Sequence, residues 1–297
     1  MENISKNINL RQCQFCGENI KANAVKCKHC KRWLNENASD AGILDKKTIN
    51  KLVYNKEKVY LVISCIISVL LYSLIILINH KITLYYVGFL FAFYFILHGL
   101  LIGNVKNNCV KITEKQFPDI YEKTSKLSIK IGLGFVPEIY VMQSGGLLNA
   151  FETRFLNNKI IVIYSEILEL AYEKGEKALE YIISHELSHL KRKHVEKNYF
   201  LFPSNFVPFL GKAYIRACEY TCDIIAAHLV PEGAVDGLLI LGSGKKLYTN
   251  VNPYELVNQA YKDSGFWSWF NEILATHPPL YKRIHEVNSL LINDNQR

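Results

Sequence analysis

Between Val59 and Ile102 the sequence has almost no charge: Lys81 is the only acidic or basic side chain there apart from two histidines. That absence argues against an ordinary pair of solvent-facing helices, which need polar residues recurring at helical period. No low-complexity tract occurs either. With 49% hydrophobic and 21% charged residues, the composition excludes an intrinsically disordered chain. No cleavable signal sequence is expected ahead of the first cysteines, which weighs against a secreted, disulfide-stapled module. Gly242-Ser243-Gly244-Lys245-Lys246 lacks the full Walker spacing, so a phosphate loop is discounted. The apolar run Tyr199–Gly211 is too short for a membrane span and carries Pro203 and Pro208.

What is present is unevenly distributed. The mean hydropathy of +0.04 averages a polar start, the uncharged stretch and an ordinary remainder. Of the formal net charge of +8, a surplus of six lies in residues 1–58, which hold 12 Lys and Arg against 6 Asp and Glu. The expected organisation is a zinc ribbon over 1–36, a basic linker over 37–58, a transmembrane helical hairpin over 59–102 and a catalytic domain over 106–297.

Four of the eight cysteines form two knuckles, Cys13-Gln14-Phe15-Cys16 and Cys27-Lys28-His29-Cys30. A Cys-x2-Cys turn sets two thiolates on one side, and two facing turns complete a tetrahedral sulfur site suited to structural Zn2+. Gly17 follows the first knuckle, where a chain reversal favours glycine. So small a segment cannot bury a self-sufficient core, and the metal would supply the folding energy. Gln12–Leu34 resembles the short zinc ribbons appended to many bacterial membrane proteins. Lys26, Lys28, Lys31 and Arg32, with Phe15 and Trp33, give a weak nucleic-acid signal. Four thiolates around one zinc carry a net charge of −2, so a structural or protein-contact role is preferred and nucleic acid is not an expected partner.

Val59–Ile78 and Ile82–Ile102 are each long enough, at about 1.5 Å per residue, to cross a hydrocarbon core of about 30 Å. The intervening Asn79-His80-Lys81 reads as a tight turn. Lysines 46, 47, 51, 56 and 58 precede the first span and lysines 106, 111 and 115 follow the second. The positive-inside rule therefore puts both termini in the cytoplasm, in a cell membrane crossed twice. Reduced cysteines require the same compartment for the ribbon. Cys65 is read as a small apolar residue on a span, and His98 as interfacial.

In the remainder, Glu138–Gln143 and Lys159–Tyr164 read as strands, and Glu166–Ala171 and Glu176–His194 as helices. The last holds His185-Glu186-Leu187-Ser188-His189, an HExxH motif. Residues four apart share a helix face, so both imidazoles can reach one metal, with Glu186 beside the open position as general base. Downstream, Arg216, Glu219 and Asp223 share one helix face. Glu219 can complete a zinc site of two histidines and one glutamate, and Asp223 can accept the free ring N–H of a ligand histidine. His194, next to lysines, reads as a surface residue. Cys218 and Cys222 read as small packing residues.

Asn149-Ala150-Phe151, His185–His189, Arg216–Asp223 and His277-Pro278-Pro279 with Arg283, in that order, resemble the M48 zinc metallopeptidases. That group includes the membrane heat-stress protease HtpX and the CAAX-processing Ste24 proteases. The resemblance implies an α+β, mainly helical gluzincin domain with a small sheet whose edge strand lines the cleft. It further implies that Asn149 sits on that substrate-binding edge and that His277 lies near the scissile bond as a catalytic donor. Arg216 and Arg283 would brace the site. HtpX is expected to carry further membrane segments between the zinc helices, where this chain has only Tyr199–Gly211, so substrates and stress role do not transfer. The reading is a membrane-bound zinc endopeptidase acting on protein or peptide substrates at the cytoplasmic face. Phe266-Trp267-Ser268-Trp269-Phe270 would rim the cleft, meet the bilayer or pack on the core. The competing class is a non-catalytic, membrane-anchored adaptor that uses the ribbon to bind protein or nucleic acid.

Overall fold

The run Asn158–Tyr164 is β-branched at four consecutive positions, Ile160 to Ile163, and all four are completely buried. A strand apolar on both faces must be covered on both, and that requirement shapes the domain. Ile161 and Ile163 face a helical core. Ile160 and Val162 pack instead against Ile102 and Val105, at the end of the second long apolar helix.

The computed structural model describes residues 10–13, 17–29, 34, 42–78, 80–143, 145, 150–155, 158–173, 175–263 and 265–295. In chain order the strands are β1 (Leu10–Gln12), β2 (Asn19–Lys21), β3 (Val110–Ile112), β4 (Glu138–Met142), β5 (Ala150–Phe155) and β6 (Asn158–Tyr164). The helices are α1 (Lys46–Leu52), α2 (Asn55–Ile78), α3 (His80–Asn108), α4 (Pro118–Lys130), α5 (Ser165–Leu168), α6 (Glu176–Arg192) and α7 (His194–Phe200). They continue as α8 (Leu210–Leu229), α9 (Ala234–Ser243), α10 (Pro253–Lys262), α11 (Phe266–Leu274) and α12 (Leu280–Asn295). The fold is α+β, mostly helical, with one four-stranded sheet of order β3-β4-β6-β5. Strands β4 and β6 are parallel, and β5 is an antiparallel edge.

Helix α6 runs through the core because Leu179, Ile182, Ile183, Leu187 and Leu190 recur on one face. Each such fully buried side chain contributes about 1.5–3 kcal/mol. Helix α9 approaches α6 closely, and glycine makes this possible. A Cβ on Gly233 would stand 2.0 Å from the Lys177 carbonyl oxygen, and one on Gly237 would stand 2.5 Å from the Tyr181 ring. At its other end α6 stops at Lys193, in the left-handed conformation with φ of 56°. That reversal starts α7 and turns its first residue, His194, inward. His194 is only 2% exposed, so the surface placement expected from its lysine-rich neighbours is corrected. Local charge suggested solvent, but the backbone reversal decided burial.

Helices α2 and α3 are each long and apolar enough to cross a membrane, over Asn55–Leu77 and Tyr85–Asn108. Just 11% and 6% of their apolar windows are buried by the rest of the chain, whereas a soluble core helix would be mostly covered. Both helices outrun the uncharged segments, α2 starting at Asn55 and α3 ending at Asn108. His80 and Lys81 are helical, so two of the three residues expected to form the turn belong to α3, and Asn79 lies outside the described residues. The start of α2 is tied to α8, where the Tyr54 backbone N–H donates to Thr221 Oγ1 at 3.1 Å. Farther along, Tyr60, Leu61 and Cys65 pack on Leu201, Tyr214 and Cys218. His98 stacks on Tyr94 and has Nε2 3.5 Å from Thr153 Oγ1 on β5.

The N-terminal hairpin β1–β2 buries Cys13 and Cys27 with Ile20 and Leu34. The His29 backbone N–H donates to Cys27 Sγ at 3.4 Å. Cys16 and Cys30 lie outside the described residues. This module is docked on the loop after α4. Asn23 Nδ2 donates to the Val136 carbonyl at 3.1 Å, and Val25 is buried with Ile129 and Val136.

Candidate metal centre

Helix α6 presents His185 and His189 one turn apart, and α8 crosses it with Glu219 facing both. The two Nε2 atoms are 3.1 Å apart. Glu219 Oε2 is 3.4 Å from His185 Nε2, and its Oε1 is 3.4 Å from His189 Nε2. Nitrogen and oxygen ligands about 2.0–2.1 Å from a tetrahedral zinc lie about 3.4 Å from one another. The donor set is of the zinc type, and its spacing fits that ion. Glu186 is 7% exposed and lines the same open cleft.

Behind His185 stands a buried carboxylate. The ring Nδ1 lies 2.9 Å from Asp223 Oδ1. That carboxylate is fully buried and accepts from Tyr181 Oη at 2.9 Å and from Arg283 Nε and Nη2 at 2.7 Å each. Burial alone would raise the Asp223 pKa, but Arg283 and His185 outweigh it and hold the carboxyl at about 2. For His185, burial pulls downward, while the adjacent carboxylates of Asp223 and Glu219 lift the metal-free imidazole to about 10. His189 lacks a carboxylate behind it, and burial pushes it to about 3. Burial, with Glu219 and Asp223 nearby, raises Glu186 to about 7 against the opposing pull of His185 and Arg283. A carboxyl poised near neutrality is suited to taking and returning a proton.

The cleft wall opposite α6 includes Ala150 and Phe151 of the edge strand β5. Asn149 lies outside the described residues. His277 stands at the mouth, 64% exposed, with Nε2 3.7 Å from Glu219 Oε2. Arg216 does not reach the donors. Its Nη1 donates to the carbonyls of Ile273 at 3.2 Å and Ala275 at 2.7 Å, gripping the segment that leads to His277. Cys218 and Cys222 are buried beside Glu219, and burial pushes both thiols up.

Residues 114–206 match the model of peptidase family M48. The match supports an M48-family metallopeptidase, and with it zinc-dependent protease activity. It spans about a third of the chain and takes in α6 and the strands β4 to β6, while Glu219, Asp223, His277 and Arg283 fall beyond it. No curated protein matches the chain.

Three residues packed around the donors carry no role in the sequence reading: Tyr181, which donates to Asp223, His194, 3.0 Å from His189 Nδ1, and Glu57, 3.5 Å from His194 Nε2. His194 carries a usable signal, a histidine five residues beyond the second motif histidine. Glu57 shows only as a lone acid among lysines, with nothing local to mark it.

Proposed function

We propose that the protein is a membrane-anchored zinc endopeptidase that cleaves protein or peptide substrates at the cytoplasmic face. The observation that carries this reading is the triad of donor atoms at 3.1–3.4 Å, open to a cleft that also holds Glu186. His185, His189 and Glu219 would hold the ion. Zinc in such a site supplies Lewis acidity, which makes water nucleophilic near neutral pH.

The remaining chemistry belongs to side chains and backbone. An extended peptide adds to the exposed edge of β5 through main-chain hydrogen bonds, with side chains alternating towards the cleft. Glu186 takes the proton of the attacking water on its carboxylate and passes it to the departing amine nitrogen. His277, at the mouth, donates to the carbonyl oxygen as negative charge develops there. Asp223 holds the His185 ring in the tautomer that leaves Nε2 free for the metal.

Anchorage rests on α2 and α3, whose apolar surfaces the chain leaves uncovered. Phe266, Trp267 and Trp269 on α11 are also exposed, and aromatic side chains of this kind favour the boundary between lipid and water. Detergent-purified protein should cleave casein, and Glu186→Gln should abolish the activity. Equal residual cleavage by the two would overturn the protease reading and leave the adaptor. A cysteine at position 80 should be labelled by an impermeant reagent only from outside the cell, and labelling only from the cytoplasm would refute the hairpin topology.

A further inference from the structure

The face of His189 turned away from the metal donors meets a second histidine. His189 Nδ1 is 3.0 Å from His194 Nδ1, and the ring of His194 is buried almost edge-on to it. On its far side, His194 Nε2 lies 3.5 Å from Glu57 Oε1. Glu57 is fully buried in the first turn of α2, the helix that continues as the first candidate span.

These contacts admit one consistent order of protons. If His189 Nε2 keeps its lone pair for a metal, its hydrogen sits on Nδ1 and is donated to His194 Nδ1. His194 then carries its own hydrogen on Nε2, on the side where Glu57 Oε1 stands at an ion-pair distance of 3.5 Å. His185 has the same arrangement one link shorter, with Asp223 directly behind its Nδ1. The two ligand histidines are thus each backed by a carboxylate, His189 through an inserted imidazole.

Glu57, His194 and Cys218 also lie close enough to offer donors to a cation. Arg192 Nη2 at 2.8 Å and Lys197 Nζ at 3.6 Å already surround Glu57 Oε1, and a further cation between them would meet strong repulsion. Burial keeps the Cys218 thiol protonated. The cluster has the chemistry of a buried, charge-paired support behind His189, with a hydrogen bond from His189 to His194 and an ion-pair contact from His194 to Glu57, and lacks that of a second metal site.

We propose that Glu57 and His194 are positioning residues for the His189 side of the metal centre, so that the membrane helix α2 forms part of that centre's scaffold. The inference rests on the peptidase reading, in which His189 is a metal ligand. Outer partners of ligand histidines fix tautomer and ring orientation, and their loss typically weakens metal binding about 10- to 100-fold. Neither residue touches substrate. Their effect is exerted on the imidazole, and the hairpin acquires a role beyond anchorage.

The test counts zinc retained by full-length protein, in detergent, after dialysis against graded chelator. The step that Glu219→Gln abolishes identifies the catalytic ion. Glu57→Gln and His194→Phe should each release that ion at about 10-fold or more lower chelator. Arg192→Met removes a partner of Glu57 but leaves the Glu57–His194–His189 contacts in place, so it should lower thermal stability yet hold zinc within about threefold of the parent. Should His194→Phe fail to fold, His194→Asn takes its place. Release at the parental chelator concentration in the Glu57 and His194 variants would overturn the inference, as would equal weakening in Arg192→Met. A parent chain with no step sensitive to Glu219→Gln would instead remove the peptidase reading, and this inference with it.

Discussion

Asp223 and Arg283 form a two-pronged pair beneath the candidate metal donors, with Nε to Oδ2 and Nη2 to Oδ1 both at 2.7 Å. Asp223 is fully buried and Arg283 is 7% exposed. Two charges removed from water at this depth are tolerable only together. The same carboxylate lies 2.9 Å from His185 Nδ1, so one residue meets both the buried cation and a candidate ligand.

Asp223→Ala should therefore fail in two separable ways. It strands the Arg283 guanidinium without a buried partner, at a cost of about 3–5 kcal/mol. It also frees the His185 ring, weakening zinc about 10- to 100-fold. Arg283→Met should be destabilising as well, yet hold zinc better, because Asp223 stays on His185 Nδ1. Urea denaturation and zinc content after dialysis would read the two effects, and matching zinc loss in both variants would contradict the division of roles.

Glu186 gives a pH dependence with a definite sign. Its pKa rises from 4.5 to about 7 in the metal-free fold, because of burial and nearby Glu219 and Asp223. A carboxyl with a raised folded-state pKa binds more protons folded than unfolded, so its contribution falls as pH rises from 4.5 to about 7. Glu186→Gln removes that penalty. In chelator-stripped protein, the variant should gain stability over the parent across this window and hold the gain at higher pH. A parent-minus-variant difference flat from pH 4 to pH 8 would show that Glu186 is not so perturbed.

How much of this site could be seen in the chain depends on the range of each interaction. His185, Glu186 and His189 share one helix, and Glu219 and Asp223 another, so spacing alone brought each set to one face. The crossing of α6 and α8 is tertiary, and only the chemistry of the combined donors suggested it. His194 was misplaced because its neighbours Lys191, Arg192 and Lys193 read as a solvated end, while the reversal at Lys193 has no strong sequence mark. Glu57 joins the cluster across 135 positions from Arg192, a separation that no periodicity can bridge. The continuous apolar run of β6 pointed to a strand. That α3 would cover its outer face followed only from the fold.

Arg216 offers a test of the cleft mouth that leaves the donors alone. Its guanidinium grips the Ile273 and Ala275 carbonyls, and His277 follows two residues later. Arg216→Met should loosen that segment and displace His277. Misplacement of a donor by about 1 Å can cost up to about 100-fold in rate. A fall of about 10- to 100-fold in kcat, with zinc content unchanged, is expected on a peptide substrate. Loss of zinc in parallel would assign Arg216 to the metal centre itself.

The docking of the N-terminal hairpin predicts a link between any metal that its cysteines hold and the α4 loop. Cys13 and Cys27 pack at the centre of the hairpin with Ile20 and Leu34, too little apolar surface to fold without help. If a zinc ion held by four cysteines supplies that help, the intact protein holds two zinc ions, and Cys13→Ser combined with Cys27→Ser holds one. Losing the hairpin should also uncover Ile129 and Val136, which Val25 now covers. Amide exchange around residues 129–136 should then quicken, while α6 stays protected by its own core. Val25→Asp should reproduce the exchange change, because a charge cannot be buried there unpaired, yet retain both zinc ions, since it alters the contact and none of the sulfur donors. One zinc in the intact chain would remove either the ribbon or the catalytic assignment. Unchanged exchange in both variants would mean that the hairpin rests on the domain without stabilising it.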